Sequence, residues 1–431
     1  MENARFINVL RKELIPAVGC TEPAAVALAV ATAVSHMRGD IGRIDVAVSR
    51  NILKNGLHVG IPGTSVKGLL AAAALGCICG DVGAGLEVLH RVNEDHIRCA
   101  EMLMEKDIIT ISLDDEHHGV YARAEVTDGS CTVVASVDRD HGKVSYVEVD
   151  GQCIRTGKKN KELEEEKCLD LKGVTLEDIL HFSKTVPIEH IMFVYDSIKA
   201  NKKVAEAGFS NTFGLNIGKL LIDLLGEEEE EPSSLNLNSI SRAAAYAAAA
   251  SDARMAGCSL TVITNSGSGN QGITASLPVF SIAEDLQIEE ERLVRALALS
   301  HLIAVYHKSF SDKLSAFCGA VTAAVGAGCG VTFLLGGGLK EIEHTVNTSL
   351  AGISGMICDG AKSSCALKIA LSVQNSLISS ALSLKGIGIR PGEGIVQKRA
   401  DDTIRKVGML SRQGMRKTDE VILDIMLSGD M

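Results

Sequence analysis

The sequence is most constrained by an uncharged stretch of 26 residues, from Leu314 to Leu339. A helix of this length can cross a lipid bilayer. Seven of its residues are glycine, however, and three of those are consecutive at 336–338. Helical backbone this rich in glycine is poorly supported in lipid, where every backbone polar group needs a partner within the protein. The stretch therefore predicts a buried helix with an irregular break that faces a cofactor, and no membrane span.

Cysteines lie within this stretch and shortly after it, at Cys318, Cys329, Cys358 and Cys365. Thiolate is a soft ligand that selects iron–sulfur clusters, zinc or copper(I), and iron–sulfur clusters are usually held by cysteines. Ten residues separate the first two cysteines and six separate the last two, unlike the paired C-x-x-C of zinc ribbons and knuckles. The pattern favours an iron–sulfur cofactor over zinc. The alternative is that these are ordinary buried cysteines, which behave as small hydrophobic residues.

Length, charge and cysteine content limit the class of protein. The chain has 431 residues, which is enough for two or three domains. Its net charge of -11 argues against nucleic-acid binding, because phosphates would be repelled, so a small metabolite is the expected partner. Twelve cysteines and a charged N-terminal segment without the apolar core of a secretory signal indicate a cytoplasmic protein with reduced thiols.

Two regions differ in their periodicity, which predicts an α+β fold. Residues 1–170 combine apolar helical runs with alternating segments separated by turn residues, and Asn55-Gly56 is a further turn signal. This predicts an N-terminal α+β domain with an antiparallel sheet, whose first helices are expected to pack on the second domain. A charged linker or helix start is expected at 156–167 and a solvated acidic loop at 227–232. Residues 171–431 are expected to form an all-helical domain with the cofactor and catalytic site.

The segment GCTEP places Cys20 beside the start of a predicted helix. Thr21 is a favoured N-cap residue, Glu22 suits the positive end of the helix dipole, and Pro23 is tolerated in the first turn. A thiol just before a helix N-terminus has a lowered pKa, because unpaired backbone N–H groups face the thiolate. Cys20 is therefore a candidate reactive thiolate, and a buried loop cysteine is the alternative.

A second polar segment, NSGSGNQG at 265–272, lies between apolar segments. Its glycines allow positive φ and bring backbone N–H groups to a concave surface that can bind a carboxylate or phosphate. It lacks the terminal Lys-Ser/Thr of a nucleotide P-loop, and no clear strand or ribose-binding acid accompanies its glycines as in the dinucleotide fingerprint. The segment predicts a ligand-binding loop, with a flexible polar turn as the alternative.

Three segments together are specific: GCTEPAAVALA at 19–29, NSGSGNQG at 265–272, and CGAVTAAVGAGCG with MICDGAKSSCALK within 318–368. On these motifs the chain resembles the L-cysteine desulfidase family, whose catalytic part is related to the α chain of iron–sulfur L-serine dehydratases. The resemblance extends over essentially the full length of the chain.

The resemblance implies an oxygen-sensitive [4Fe–4S] cluster and no pyridoxal phosphate. It puts the cluster ligands at Cys318, Cys358 and Cys365, which leaves one iron without a protein thiolate, and it gives Cys329 a supporting or structural place. It further implies that Cys20 is the catalytic base. The residues implied for substrate binding are Ser266, Gly267, Ser268, Gly269 and Asn270.

The expected reaction is pyridoxal-independent elimination of hydrogen sulfide from L-cysteine, which gives ammonia and pyruvate. An open coordination position lets a metal act as a Lewis acid on the leaving sulfur while a thiolate base removes the α-proton. Two other functions stay open: L-serine dehydratase on the same scaffold, and a non-catalytic iron–sulfur sensor or structural zinc protein. A homodimer is expected from the related enzymes alone.

Overall fold

The structure, a computed structural model, describes residues 2–156, 171, 173–225, 235–311 and 315–428. Within these ranges the protein has two large hydrophobic cores, one built on a sheet and the other mainly on helices. The predicted α+β fold with a helical C-terminal region is confirmed. The charged stretch at 156–167 lies outside the described residues except for Thr156, and the acidic run at 227–232 lies outside them entirely.

The first core contains a six-stranded sheet in the order β3-β2-β4-β5-β6-β7. Its neighbouring strands are antiparallel except for β2 and β3, which are parallel. The prediction of an antiparallel sheet is therefore wrong at this one edge. Three helices connect β2 to β3, and a crossover of that length returns the chain in the same direction. The strands are β2 (Arg43–Ser49), β3 (Ile109–Asp114), β4 (Tyr121–Thr127), β5 (Thr132–Asp138), β6 (Val144–Val149) and β7 (Gln152–Thr156).

Helix α2 (Thr21–Val34) packs on this sheet and against α4 (Gly68–Cys79). Its residues 21–33 are all buried, as expected for an alanine-rich and valine-rich helix between two layers. Between β2 and β3 the chain also forms α3 (Arg50–Gly56) and α5 (Glu94–Glu105).

The Asn55-Gly56 turn is not observed, because both residues belong to the last turn of α3. Ser49 caps this helix, its hydroxyl accepting a hydrogen bond from Ile52 N at 3.4 Å. Gly56 is needed for close packing, since a Cβ there would lie 2.2 Å from Leu69 Cδ2. Tertiary contact therefore overrides the local turn preference.

The second core is formed mainly by helices that follow residue 175. Helix α12 is central and packs against α10, α11, α13 and α14. The helices are α6 (Leu176–Thr185), α7 (Asp196–Ser210), α8 (Ile217–Asp223), α9 (Leu237–Met255), α10 (Gly269–Asp285), α11 (Glu290–Lys308), α12 (Gly319–Leu334), α13 (Leu339–Ile353), α14 (Ser364–Leu384), α15 (Ala400–Met409) and α16 (Arg416–Ser428).

Helix α12 accounts for most of the uncharged stretch, and its glycines allow close helix packing. A Cβ at Gly326 would lie 2.4 Å from the Ser300 carbonyl oxygen, and one at Gly328 would lie 2.3 Å from Ser376 Oγ. The glycines at 336–338 form the turn to α13, at the opposite end of α12 from Cys318. The helix has 16 residues, so it separates these glycines from Cys318 by about 24 Å. The predicted cofactor-facing break is therefore wrong.

Among the described residues, one helix, α14, is long and apolar enough to cross a membrane. Half of its most apolar window is buried against protein. Core helices of non-membrane proteins also meet this criterion, so the finding is weak evidence for a span.

Both ends of the described chain cross between the two cores. Helix α1 (Glu2–Glu13) packs into the helical core, and β1 (Pro16–Val18) pairs with β8 (Thr261–Ile263). Helix α16 returns to the sheet-containing region, where Asp419 forms an ion pair with Lys54 of α3. The two regions are therefore joined by the chain termini as well as by the segment between them.

Candidate functional site

A cavity of about 180 Å³ lies where the two regions meet. The sheet-containing region contributes the start of α2, Asn55, Leu86 and the β5–β6 turn, and the helical region contributes the starts of α10, α12 and α14. The structure thus gathers residues that are up to about 350 positions apart in sequence. The predicted residues that line the cavity are Cys20, Ser266, Gly267, Ser268, Asn270, Cys318, Cys358 and Cys365. Gly269 is not in the lining but begins α10.

Four helices of the described chain begin beside this cavity. Cys20 precedes α2, Ser268 precedes α10, Cys318 precedes α12, and Cys365 is the second residue of α14. Backbone N–H groups in a first helical turn have no partner within their helix, and the helix dipole adds partial positive charge there. The cavity is therefore suited to negatively charged groups such as thiolates and carboxylates.

Cys20 is itself the N-cap of α2, and Thr21, the predicted N-cap, is the first helical residue. Burial raises the pKa of the Cys20 thiol to about 12, although the positive charge of Arg254 acts in the opposite direction. The lowered pKa predicted from the helix N-terminus is wrong. The reason is that burial of the thiolate, with the negative charge of Glu22 acting in the same direction, outweighs the attraction of Arg254.

Within the segment NSGSGNQG, residues 265–268 form a tight turn held by its own backbone, and α10 begins at Gly269. Asn265 N donates to Ser268 O at 3.1 Å and Ser268 N donates to Asn265 O at 3.0 Å, while Ser266 and Gly267 have left-handed φ values of 52° and 77°. Strand β8 does precede the loop, which the sequence did not predict, but β8 pairs with β1 in a separate two-stranded sheet. The surroundings therefore differ from a dinucleotide-binding βαβ unit.

His301 contacts the first residue of this loop, Asn265. Asn265 Nδ2 donates to the His301 carbonyl oxygen at 3.2 Å and lies 3.1 Å from His301 Nδ1. Burial lowers the pKa of His301 to about 3, so the imidazole is neutral and Nδ1 can accept a hydrogen bond. His301 is not part of the cavity lining.

A short antiparallel contact orients Cys318 and Cys358. Phe317 pairs with Ile357, Cys318 N donates to Met356 O at 3.1 Å, and Cys358 N donates to Ala316 O at 2.6 Å. Side chains alternate between the two faces of paired strands, so Cys318 and Cys358 project to the same side.

Cys365 approaches the same side from the first turn of α14. Burial raises the pKa of Cys318 to about 12, and it also raises the pKa of Cys365. Negative charge at the neighbouring Cys358 would act in the same direction on both pKa values.

The thiols of Cys318, Cys358 and Cys365 are the candidate ligands for a metal cofactor in this cavity. Within the described ranges, no three His, Cys, Asp or Glu side chains are gathered around a single-ion position. The three thiols nevertheless line one buried cavity and are soft donors. In an iron–sulfur cluster each thiolate binds a different iron, so the ligands are spaced more widely than around one ion. The residues present therefore fit a cluster bound by thiolates.

Two lysines hold the segment that carries Cys358. Lys54 Nζ donates to the Cys358 carbonyl oxygen at 3.1 Å, and Lys368 Nζ donates to the Ile357 carbonyl oxygen at 3.0 Å. Lys368 also pairs with Asp359, which raises the pKa of Lys368 although burial opposes this. Lys368 also lines the cavity, and its positive charge acts to lower the pKa values of Cys318 and Cys365.

Cys329 lies in the third turn of α12 and outside the cavity lining. It is fully buried, its Sγ lies 4.0 Å from the Ile342 carbonyl oxygen, and burial raises its pKa. Its position is that of a core cysteine.

Several charged residues of the cavity were missed by the sequence analysis. The available signal was a charged side chain near the end of an alanine-rich helix, as at Arg254. Asp140 and His141 lie in the β5–β6 turn, where polar residues are expected without any role in a site. The titratable lining residues that the sequence did not assign to the site are Lys12, Glu13, Glu22, Asp140, His141, Arg254, Lys308 and Lys368.

Comparison with known proteins decides the family. A family model described as serine dehydratase alpha chain matches residues 84–424, which include the loop at 265–272 and the three clustered cysteines. The chain belongs to the serine dehydratase α-chain family. It is therefore placed among serine dehydratase-like lyases, in a family generally related to iron–sulfur chemistry. Cys20 lies before the matched region.

Relatives of this serine dehydratase α-chain family member match over nearly the whole length. A UPF0597 protein of Photobacterium profundum is 39% identical over 424 residues, and the match covers 98% of each chain. A UPF0597 protein of Lachnoclostridium phytofermentans is 40% identical over 426 residues, covering 98% of this chain and 99% of the relative. A third, from Clostridium perfringens, is 37% identical over 426 residues. The sheet-containing region and the GCTEP segment therefore lie within the matched length.

Proposed function

We propose that this protein is an L-cysteine desulfidase that uses a [4Fe–4S] cluster and no pyridoxal phosphate. The observation that carries the proposal is that Cys20, the loop at 265–272 and the thiols of Cys318, Cys358 and Cys365 all line one cavity. These groups correspond to the base, the substrate loop and the cluster ligands implied by the motif resemblance. Because the reaction needs reduced thiols, we place it in the cytoplasm.

The cluster would be held by Cys318, Cys358 and Cys365. When bound, it would supply an open iron position that acts as a Lewis acid on the sulfur of the substrate. The ammonium groups of Lys54 and Lys368 would hold the Cys358 segment in place through its carbonyl oxygens. Their charge would also offset part of the negative charge that the thiolates bring into the cavity.

The protein side chains would divide the remaining work. Backbone N–H groups at the start of α10, with the Ser268 hydroxyl, would hold the substrate carboxylate. Cys20, once deprotonated, would take the α-proton, and its raised pKa makes the thiolate a strong base. Loss of the proton and of sulfide gives aminoacrylate, which tautomerises and hydrolyses to pyruvate and ammonia without further enzyme groups.

L-Serine dehydratase is the second candidate function, and the description of the matching family model favours it. The same residues would serve, because the leaving group would be hydroxide in place of sulfide. The two candidates differ in the β-substituent that the site expels.

Assay of anaerobically purified, iron-loaded protein separates the candidates. We expect pyruvate and sulfide in equal amounts from L-cysteine, with kcat/KM for cysteine above that for serine. A higher kcat/KM for serine would establish the dehydratase. Bound iron and sulfide without turnover of either amino acid would indicate a sensor and contradict both enzymatic proposals.

A matched pair of variants tests the ligand assignment in the same preparation. Cys358→Ala should lose iron and activity together, because a ligand is removed. Cys329→Ala should retain iron, because this thiol lies in the core outside the cavity. Retention of a full complement of iron by Cys358→Ala would show that Cys358 is not a ligand.

A further inference from the structure

Arg254 is a charged residue in the cavity wall to which the motif resemblance gives no role. It lies in the last turn of α9, is only 5% exposed, and lines the cavity beside Cys20 and the loop at 265–272. Burying a guanidinium at this depth is costly unless an anion or several acceptors compensate it. The hydrogen-bond acceptors and charges around the guanidinium therefore indicate which kind of ligand it binds.

The acceptors around Arg254 are neutral. Arg254 Nη2 donates to the Gly19 carbonyl oxygen at 2.8 Å, and Nη1 donates to Asn270 Oδ1 at 3.1 Å. Arg254 Nε is buried and has no hydrogen-bond partner among the described residues. In the described part of the chain no carboxylate forms an ion pair with this guanidinium, and the titratable side chain on which its charge acts most directly is the Cys20 thiol. A carboxylate ligand in the cavity would therefore be its first carboxylate partner.

The first turn of α10 lies directly against the guanidinium. A Cβ at Gly269 would lie 2.4 Å from Arg254 Nε and 2.8 Å from Arg254 Cζ, so only glycine leaves room for this contact. The unpaired N–H groups of a helix N-terminus and a buried arginine are thus placed side by side. Both favour an anion, and the planar guanidinium matches a carboxylate through two parallel N–H donors.

Arg254 also connects two segments that line the cavity. Its hydrogen bonds join the GCTEP segment to the loop at 265–272, and its charge acts on the thiols of both Cys20 and Cys365. An anionic group bound at this position would therefore lie between the proposed base and a proposed cluster ligand.

We propose that Arg254, together with the N-terminus of α10, binds the α-carboxylate of the amino-acid ligand and restricts the site to ligands with a free carboxylate. This inference rests on the proposed function in taking the ligand to be a small amino acid. It adds a specificity-determining residue and a substrate requirement. Ligands without a carboxylate, such as cysteamine or the nearly isosteric amino-acid amide, would bind poorly because the guanidinium would have no carboxylate partner.

Binding of unreactive ligands tests the proposal independently of turnover. L-Alanine and L-alaninamide differ in the carboxylate and have no leaving group, and isothermal titration to the anaerobic, iron-loaded protein measures both affinities. In the wild type we expect L-alanine to bind at least about 30-fold more tightly than L-alaninamide. Arg254→Met should remove this preference, and Arg254→Lys should keep a reduced one because the charge stays but the forked donors are lost.

The control variant is Arg242→Met, on the same helix. Arg242 forms an ion pair with Asp285 at 2.8 Å and is not part of the cavity lining. This variant should keep the preference of the wild type for L-alanine. A purely structural role of Arg254 would weaken both ligands alike, whereas carboxylate recognition changes their ratio.

The outcomes separate this proposal from the proposed function. Equal affinity of the wild type for the two ligands, or an unchanged preference in folded Arg254→Met, would overturn the role of Arg254 even if cysteine is turned over. An Arg254-dependent preference for L-alanine without turnover of cysteine or serine would support this role and refute the enzymatic proposals. If Arg254→Met fails to fold, the wild-type ratio and Arg254→Lys decide the question. Binding of neither ligand would refute the amino-acid site altogether.

Discussion

At the scale of single residues, burial governs the chemistry of this site. Cys20, Cys318 and Cys365 all lie beside helix N-termini, yet burial raises the pKa of each thiol. Thiolates form here only if a positive partner compensates the loss of water. Arg254 acts on Cys20 and Cys365, and Lys368 acts on Cys318 and Cys365, as the cations that the fold places near these thiols. The reactivity of these cysteines is therefore a property of their neighbours.

Substitution of Cys20 distinguishes a base from a cluster ligand. In Cys20→Ala we expect iron content equal to that of the wild type and a loss of kcat of about 100-fold or more, the usual contribution of a general base. Iron analysis and a pyruvate assay on the same anaerobic sample measure both quantities. Loss of iron in Cys20→Ala, with iron retained in Cys329→Ala, would make Cys20 a ligand and not the base.

Asp252 gives a pH-dependent prediction for stability. This carboxylate is 1% exposed and accepts a hydrogen bond from Gly218 N at 3.2 Å at the start of α8, and burial raises its pKa to about 6 from an ordinary value of 3.8. A raised folded-state pKa means that the unfolded state loses its proton first. As pH rises from about 4 to 6, Asp252 therefore lowers the free energy of unfolding by an increasing amount, which reaches up to about 3 kcal/mol at neutral pH.

Asp252→Asn should remove this cost. We expect its free energy of unfolding to exceed that of the wild type by about 1–3 kcal/mol at pH 7.5, and the difference to nearly vanish at pH 4. Urea unfolding at the two pH values measures it. Asp402→Asn, at an exposed ion pair with Arg405, is the control and should show no such trend. A gain for Asp252→Asn that is equal at both pH values would contradict the assignment.

At the scale of elements, the starts of helices form the site and small residues bring those starts together. Helices α2, α10, α12 and α14 begin at the cavity. Gly328 lets α12 approach α14, and Gly326 lets α12 approach Ser300 of α11, because larger side chains would separate the helix axes. The low aromatic content of the chain follows the same logic, since its interior is filled by alanine, glycine and short aliphatic residues.

Gly326 tests this packing. Gly326→Ala places a Cβ 2.4 Å from the Ser300 carbonyl oxygen, so α11 and α12 must move apart. The expected cost is about 1–3 kcal/mol in the free energy of unfolding, even though alanine favours a helix more than glycine does. Gly355→Ala is the matched control, because its Cβ would meet no atom within 4 Å. Equal unfolding midpoints for the two variants would show that α12 is not tightly packed at this position.

At the scale of the whole molecule, the two regions are coupled through the chain ends. Lys54 of α3 pairs with Asp419 of α16, and Asn51 Nδ2 donates to the same carboxylate at 2.8 Å. Lys54 also reaches the Cys358 carbonyl oxygen. Lys54, whose side chain is buried, therefore joins the sheet-containing region both to the C-terminal helix and to the Cys358 segment.

Breaking this pair should destabilise the molecule. Lys54→Met leaves Asp419 without its cation in a site where the lysine side chain is 1% exposed, so we expect a loss of about 3 kcal/mol in chemical denaturation. Arg50→Met is the control, since its ion pair with Asp115 is much more exposed and should contribute less than about 1 kcal/mol. A similar small effect of both substitutions would show that the Lys54–Asp419 pair does not join the regions.

Much of the fold was accessible from local pattern. The apolar helical runs and alternating segments within residues 1–170, and the helical periodicity of residues 171–431, predicted their elements because side-chain period and turn chemistry are local properties. Asn55 and Gly56 are helical where the dipeptide predicted a turn, and Gly56 packs closely against Leu69 of another element, a contact that local sequence does not reveal. The parallel pairing of β2 and β3 was missed for the same reason.

The amino-acid sequence by itself determined which chemical groups this protein has: soft thiols among small residues, a glycine-rich polar loop and a cysteine before a helix. Only the tertiary structure decided that these groups share one cavity, that Arg254 stands between them, and that burial raises the pKa of Cys20. The physical reason is that residue type and helix start are encoded within a few positions. Distance, desolvation and charge neighbours depend on segments that are hundreds of residues apart in the chain.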